Sequence, residues 1–438
     1  MTLSANDTIF LQRDIKVFVA KKGVDMGYEV PTLEGISFSQ AVNNATITLN
    51  EASSDGSSQR RGQAAFATDL APAEWSFQTY LRPTKSDSTD GTYSNGDRDD
   101  TPTQGAIEEF LWAALASDLG TATMPSASAD KALSGWTFGT QSAVLDFDES
   151  NKIQLGKFDL FFSLSGLGSG VGADKNIIYH LDEAVVNEVS IDFDIDGIAT
   201  CTWSGFAKKI SEVNNGARPD GTTAGWFANI DGDNAITPGS ATITEQNTAT
   251  NNFIQNRLSV VELHKVLSSN TNAINDYTLT LTGGNITISN NISYVTPSMM
   301  QTVNQPLGHI LGSRSITGSL TCYADHTIGH SADLFEDLQE ASVYDDTNAY
   351  QLRVFLGGKT ATNRPTAPGA LFLMPAAHID IPTHNIEDVV SFEIGFTALA
   401  SDSATTTDSS TGATTITDAT STNSLSNTNE LVVVMEGV

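Results

Sequence analysis

Polar and apolar residues alternate along Ala45-Thr46-Ile47-Thr48-Leu49 and along Trp75-Ser76-Phe77-Gln78-Thr79-Tyr80-Leu81. This is the period-two pattern of a strand with one buried face. Similar runs fall at residues 14–20, 35–39, 158–164, 177–206 and 431–434, and Asp196-Gly197 marks a hairpin turn inside the fourth of them. Two stretches read as helices instead. One covers 107–115, with Glu108 and Glu109 where the helix dipole favours acids and Gly120 as a stop; the other starts after Ser331. Between these runs lie the long polar segments 51–64, 83–104, 211–250 and 401–428, expected as surface excursions.

The pattern occurs twice. Ile36-Ser37-Phe38 returns as Ile292-Ser293-Tyr294, Ser76–Tyr80 as Ser319–Tyr323, and Glu109-Phe110 as Leu334-Phe335. Phe158–Phe162 matches Leu352–Leu356, and Asn256–Val261 matches Asn429–Val434. The separation of matched residues falls steadily, from 256 (Ile36 to Ile292) through 243, 225 and 194 to 173 (Asn256 to Asn429). A one-way drift indicates two colinear copies with the large insertions in the first. The expected fold is mainly β: two tandem β-sandwich or half-barrel domains, residues 1–268 and 269–438, each flanked by one α-helix. Superposed, they should place Tyr80 over Tyr323 and Phe110 over Phe335, with both phenylalanines anchoring their helices.

Composition narrows the function. A chain of 438 residues suits two cores. Its 39% hydrophobic and 17% charged content excludes an acidic disordered protein. The net charge of −30 repels phosphate, which argues against tight nucleic-acid binding and anionic membranes, and equally fits plain solubility or a salty milieu. Cys201 and Cys322 are too few for a disulfide framework and are expected as free buried thiols in a reducing compartment. The N-terminal residues show no signal-peptide pattern, and no window approaches the roughly 18 apolar residues of a membrane span, so synthesis in a cytoplasm is expected.

Motifs for chemistry are weak. Asp192, Asp194 and Asp196 precede Gly197 as in a calcium loop, but Trp203 stands where the bidentate Glu belongs. Strand alternation, with Ile191, Phe193 and Ile195 inward, accounts for the same spacing. His326 and His330 lie four apart as helical metal ligands would, yet Gly329 intervenes before the helix starts. Gly166–Gly172 leads into a strand and not into the helix of a dinucleotide site. No cofactor motif and no catalytic constellation emerges, so the reading is of a non-enzyme.

The segment Ala73–Tyr80, followed by Glu109-Phe110-Leu111-Trp112, and the segment Gln305–Leu320 resemble the tail tube (major tail) proteins of long-tailed bacteriophages. The resemblance implies a structural virion subunit. Its partners would be copies of itself in stacked rings, a tape-measure protein, tail terminator and baseplate or tip proteins, and DNA only in transit. It also implies assembly in the host cytoplasm. Rings of this family contain six domains, so a duplicated chain resembles the variant with three subunits in a pseudo-sixfold ring. Four lumen strands per domain would then make a 24-strand barrel. With strands ~4.8 Å apart and tilted ~40°, its backbone diameter is roughly 48 Å and its bore near 40 Å, wider than DNA. Ring-on-ring contacts are expected from 51–64, where Arg60 and Arg61 form a basic pair facing an acidic neighbour, although an incidental solvated pair gives the same sequence. The rivals are a two-domain β decoration or binding protein, and a carbohydrate-active enzyme, which needs paired carboxylates in a cleft.

Overall fold

The computed structural model describes residues 9–21, 26–47, 64–82, 108–116, 131–133, 136–138, 143–148, 155–167, 177–213, 227–228, 235–238, 253–265, 276–295, 306–344, 350–359, 365–386, 389–399 and 429–436. These are mainly strands, with two α-helices. The chain runs β1 (Ile9–Lys21), β2 (Met26–Val30), β3 (Ser37–Ile47), β4 (Ala64–Tyr80) and α1 (Glu109–Ala116). Next come β5 (Lys131–Leu133), β6 (Trp136–Phe138), β7 (Ala143–Asp148), β8 (Phe158–Leu167), β9 (Ile177–Asp194), β10 (Thr200–Ala207) and β11 (Lys209–Val213). The short β12 (Phe227–Ala228) and β13 (Ala235–Pro238) precede β14 (Val260–Lys265), β15 (Asp276–Leu279) and β16 (Leu281–Ser289). Then follow β17 (Ser293–Val295), β18 (Gly308–Ile310), β19 (Ser315–Tyr323) and α2 (Ser331–Tyr344). The chain closes with β20 (Tyr350–Lys359), β21 (Pro365–Ile379), β22 (Thr383–Ile386), β23 (Val390–Ala398) and β24 (Asn429–Glu436).

The strand pairing repeats. In the first half the order is β2–β1–β8–β9–β11, and β9 also enters a second row, β3–β4–β10–β9. In the second half the orders are β15–β14–β20–β21–β24 and β16–β19–β23–β21, with β22 continuing β21 along β23. Even the irregularities recur. The register slips between Phe158 and Leu160 where β8 meets β9, and between Tyr350 and Leu352 where β20 meets β21. An extra residue separates Val186↔Gly205 from Glu188↔Ser204, and another separates Ile379↔Phe396 from Thr383↔Glu393. Bulges of this kind bend a strand so that its two ends can serve two sheets.

This pairing corrects three of the sequence matches. Phe38 of β3 faces Trp75 as Ile286 of β16 faces Gly318, so the counterpart of Ile36-Ser37-Phe38 is Gly284-Asn285-Ile286 and not Ile292-Ser293-Tyr294. β14 pairs with β15 and β20, the place that β1 holds between β2 and β8, so 256–261 leads into an opening strand and does not match β24. The strand equivalent to β24 is β11, which follows β10 directly. The structural partner of Phe158 is Tyr350, two residues before the matched Leu352. A slip of two preserves the buried face, so the apolar pattern cannot detect it.

One hydrophobic cluster spans both halves. They join where β16 pairs with β9 and where β24 pairs with β7. Helix α1 is apolar on every side and its described side chains are all buried, as expected for a helix enclosed by core. Phe110 meets Phe158 edge-on, while Trp112 packs against Trp203 and against Phe372 of the other half. Asn290, just after β16, donates its Nδ2–H to the Leu115 carbonyl at 3.0 Å and so occupies one of the helix's terminal acceptors. Helix α2 is amphipathic. Its buried anchors are Leu334 and Leu338, whereas Phe335 is half-buried beside the His384 ring, so the anchoring role expected of Phe335 falls to the two leucines. Cys201 and Cys322 are free and buried.

At equivalent cross-strand sites the halves exchange a large and a small residue. Trp75 of β4 faces Gly205 of β10, and Gly318 of β19 faces Phe396 of β23. A Cβ on Gly205 would lie 2.0 Å from the Val185 carbonyl oxygen and 2.5 Å from the Trp75 ring, and one on Gly318 would lie 2.2 Å from the Asn285 carbonyl oxygen and 2.5 Å from the Phe396 ring. Each glycine therefore supplies the volume for the aromatic opposite. Gly205→Phe alone should overpack the site and cost about 1–3 kcal/mol or more. Combined with Trp75→Gly it should be rescued in part, with a favourable coupling of about 1 kcal/mol or more in urea denaturation. Additive losses would mean that the two sites do not share one volume.

Candidate functional site

Eight strands lie side by side in the order β3–β4–β10–β9–β16–β19–β23–β22. Strand alternation gives this sheet two unlike faces. Phe77, Trp203, Ile191, Ile286, Leu320 and Ile394 point to the core and are buried. The opposite face carries Ser37, Ser76, Thr202, Ser190, Thr287 and Ser319 with their neighbours of the same parity, mostly half-buried. Hydroxyls and amides tie adjacent strands there. Ser37 and Ser76 hydroxyls lie 2.8 Å apart, the Ser319 N–H donates to Asn285 Oδ1 at 2.9 Å, and Gln78 donates to Thr202 at 3.4 Å.

The charge on this face has one sign. None of the eight strands contains a lysine or an arginine. Glu74, Glu188, Asp192, Asp194 and Glu393 share the parity of the polar residues. Partial burial raises the Asp192 carboxyl above its ordinary range. A face of hydroxyls and carboxylates without cations offers a polyanion no counter-charge.

The candidate ligands behave as strand and turn residues. Asp192 and Asp194 project from β9 onto the polar face. Asp194 Oδ1 accepts the Ile195 N–H at 2.6 Å, and Asp196 lies exposed 3.9 Å from Arg257. His330 pairs with Asp325 at 3.1 Å, while His326 is exposed on the loop before α2. That loop is held by its own network: Asp325 accepts from Thr327, and Asp333 accepts the Gly329 N–H. A cluster that sequence reading missed is Asp159, His180 and Asp182, with ligand atoms within 4.8 Å of one another. Within it His180 Nε2 sits 3.0 Å from Asp159 Oδ1 and the ring stacks on Phe161, an arrangement that already satisfies the carboxylate as a buried pair. Asp159 lies 21 residues from His180 in sequence, so only the β8–β9 register brings it beside His180 and Asp182. Arg60 and Arg61 lie outside the described residues.

A depression of about 300 Å³ on the polar face is lined by Ser37, Glu74, Trp75, Ser204 and Gly205 among others, and Glu74 is the one carboxylate among its described lining residues. Glycoside hydrolysis needs two. Among the described residues no helix is long and apolar enough to cross a membrane.

A mainly β chain with a cation-free polar sheet face fits the tail tube class of structural phage proteins, and comparison with known proteins bears this out. Over 403 residues the chain is 28% identical to the tail tube protein pb6 of Escherichia phage T5, covering 90% of this chain and 73% of that protein. No family model matches. The chain is thus similar over most of its length to a phage tail tube protein.

Proposed function

We propose that three copies of this chain close into a pseudo-sixfold ring, and that stacked rings form the tube around a tape-measure protein and later conduct DNA. In this reading the chain is a duplication, with one copy spanning 9–213 and the other 260–436. The eight-stranded sheet lines the bore with its polar face inward. The observation that carries the proposal is that row of strands: eight in each of three subunits make 24, enough for a bore near 40 Å at ordinary spacing and tilt. A lumen without lysine or arginine lets DNA pass without sticking, since counterion release on cationic side chains is the main source of non-specific affinity. Electron microscopy of the concentrated protein tests it. Hollow tubes with a uniform bore are expected, whereas a persistent monomer supports the decoration-protein alternative.

Tail terminator and baseplate or tip proteins would cap the two tube ends, and assembly would take place in the host cytoplasm. Axial contacts between rings are assigned to 51–64, with Arg60 and Arg61 docking on the acidic ring above or below. Arg60→Glu with Arg61→Glu should leave monomer stability unchanged and slow tube growth, most strongly at low salt, where screening is weakest. Normal tube lengths from the double variant at low ionic strength would remove these residues from the interface.

A further inference from the structure

Within one chain, the two halves meet along a single joint of the polar-faced sheet. Strand β16 lies antiparallel to the C-terminal part of β9, with Gly284 opposite Phe193, Ile286 opposite Ile191 and Ile288 opposite Val189. By the repeated pairing, β3 is the counterpart of β16. Phe38 faces Trp75 as Ile286 faces Gly318, and Trp75 and Gly318 are equivalent. In the same way β22 is the counterpart of the end of β9. Thr383 faces Glu393 as Ser190 faces Thr202, and His384 faces Phe392 as Ile191 faces Cys201. Yet β3 and β22 are the two outer strands of this sheet. Among the described residues β3 pairs with β4 alone and β22 with β23 alone.

We propose that β22 of one subunit pairs with β3 of a second copy in the register of the internal joint: Ile386 opposite Ile36, Asn385 opposite Ser37, His384 opposite Phe38 and Thr383 opposite Ser39. The proposal rests on the reading of this chain as a ring subunit and names the contact that closes the ring.

Three observations support that register. The first is exposure. Ile386 is 79% exposed, although its counterpart Phe193 is only 5% exposed under the cover of the second half. Opposite Ile36, it would gain the same cover. All four residues of β22 are exposed, as an unpaired edge requires.

The second is hydrogen-bond parity. The Leu81 N–H bonds to the Ala199 carbonyl, so odd-numbered residues of β4 bond toward β10 and even-numbered ones toward β3. The outward N–H and C=O groups of β3 therefore belong to Ile36, Phe38 and Gln40. The Ala324 N–H bonds to the Val390 carbonyl, which by the same alternation turns the backbone groups of Pro382, His384 and Ile386 outward from β22. These two sets are the residues that the register makes opposite. It also matches core face to core face, which a shift of one residue would reverse.

The third is specificity. Pro382 falls opposite Gln40 and has no N–H, so pairing weakens there and the joint is confined to its first few residues. Proline on an exposed edge also discourages indiscriminate strand addition.

Cysteine cross-linking in assembled tubes tests the register. Ser37 and Asn385 form a non-hydrogen-bonded pair, the kind with the closer side chains, and both are exposed. Native Cys201 and Cys322 are buried and do not compete. Ser37→Cys with Asn385→Cys should give intermolecular disulfides on mild oxidation, running up to a closed trimer on non-reducing gels. Either single variant should give none, and Ser37→Cys with His384→Cys, whose side chains lie on opposite faces, should give none. In parallel, Ile386→Asp should leave circular dichroism and monomer melting unchanged and abolish tube formation. Tubes that form normally but do not cross-link through 37 and 385 would overturn the register while leaving the tube reading intact. Wild-type protein that forms no rings or tubes at all would overturn both.

Discussion

Replacing Arg82 by Ala is expected to destabilise the folded subunit by about 3–5 kcal/mol, because it takes the guanidinium away from a buried carboxylate. Arg82 and Glu108 are each 2% exposed at the side chain. The guanidinium donates from Nε at 3.1 Å and from Nη2 at 2.7 and 2.6 Å to the two carboxylate oxygens. Glu108 directly precedes α1, and its carbonyl accepts the Trp112 N–H at 3.0 Å, so the pair fixes where the buried helix begins. Its negative charge also contributes, after burial itself, to pushing the Cys201 thiol well up. Without the arginine, Glu108 must stay charged in the core, become protonated, or pull α1 out. The double variant Arg82→Met with Glu108→Leu removes both charges and should lose far less than the single one. Urea denaturation of both variants decides. A single variant within 1 kcal/mol of wild type would mean that water reaches Glu108.

Phe110→Ala should cost about 3–5 kcal/mol, while Phe335→Ala should cost no more than about 1–2 kcal/mol. Phe110 is 5% exposed and packs edge-on against Phe158 in a helix enclosed by core. Phe335 is half-buried, and Leu334 and Leu338, both fully buried, hold α2 in place without it. The contrast is the informative part. Equal losses at the two sites would mean that α2 is as deeply enclosed in the free subunit as α1.

That contrast also marks how far the sequence could be read. Alternation along 75–81 identifies β4 and its buried face, because period two follows from the pleat alone. The start of β4 at Ala64 was hidden, since in Ala64–Leu70 only Phe66 and Leu70 are large and apolar and small or polar residues fill the rest. The helices were legible from their flanks, but which phenylalanine anchors which helix depends on enclosure. Helix α1 is apolar all round because other elements surround it, whereas α2 keeps one polar side. The Arg82–Glu108 pair is separated by 26 residues across a polar insertion, and no local pattern reports such a contact. The polar face was half legible. Outward Ser, Thr and Asp positions could be picked out strand by strand, but the pairing of β9 with β16, which makes one eight-stranded surface of them, is a matter of which edges meet, and periodicity does not encode that.

The measurement that bears most directly on the account is a reconstruction of the assembled tube at a resolution that separates strands. Rings of three chains with pseudo-sixfold symmetry and a continuous 24-strand wall are expected. Ser190, Asp192, Thr202 and Thr287 should face the bore, and Trp203 and Ile286 should face away from it. Six chains per ring, or a wall with these two sets reversed, would contradict it.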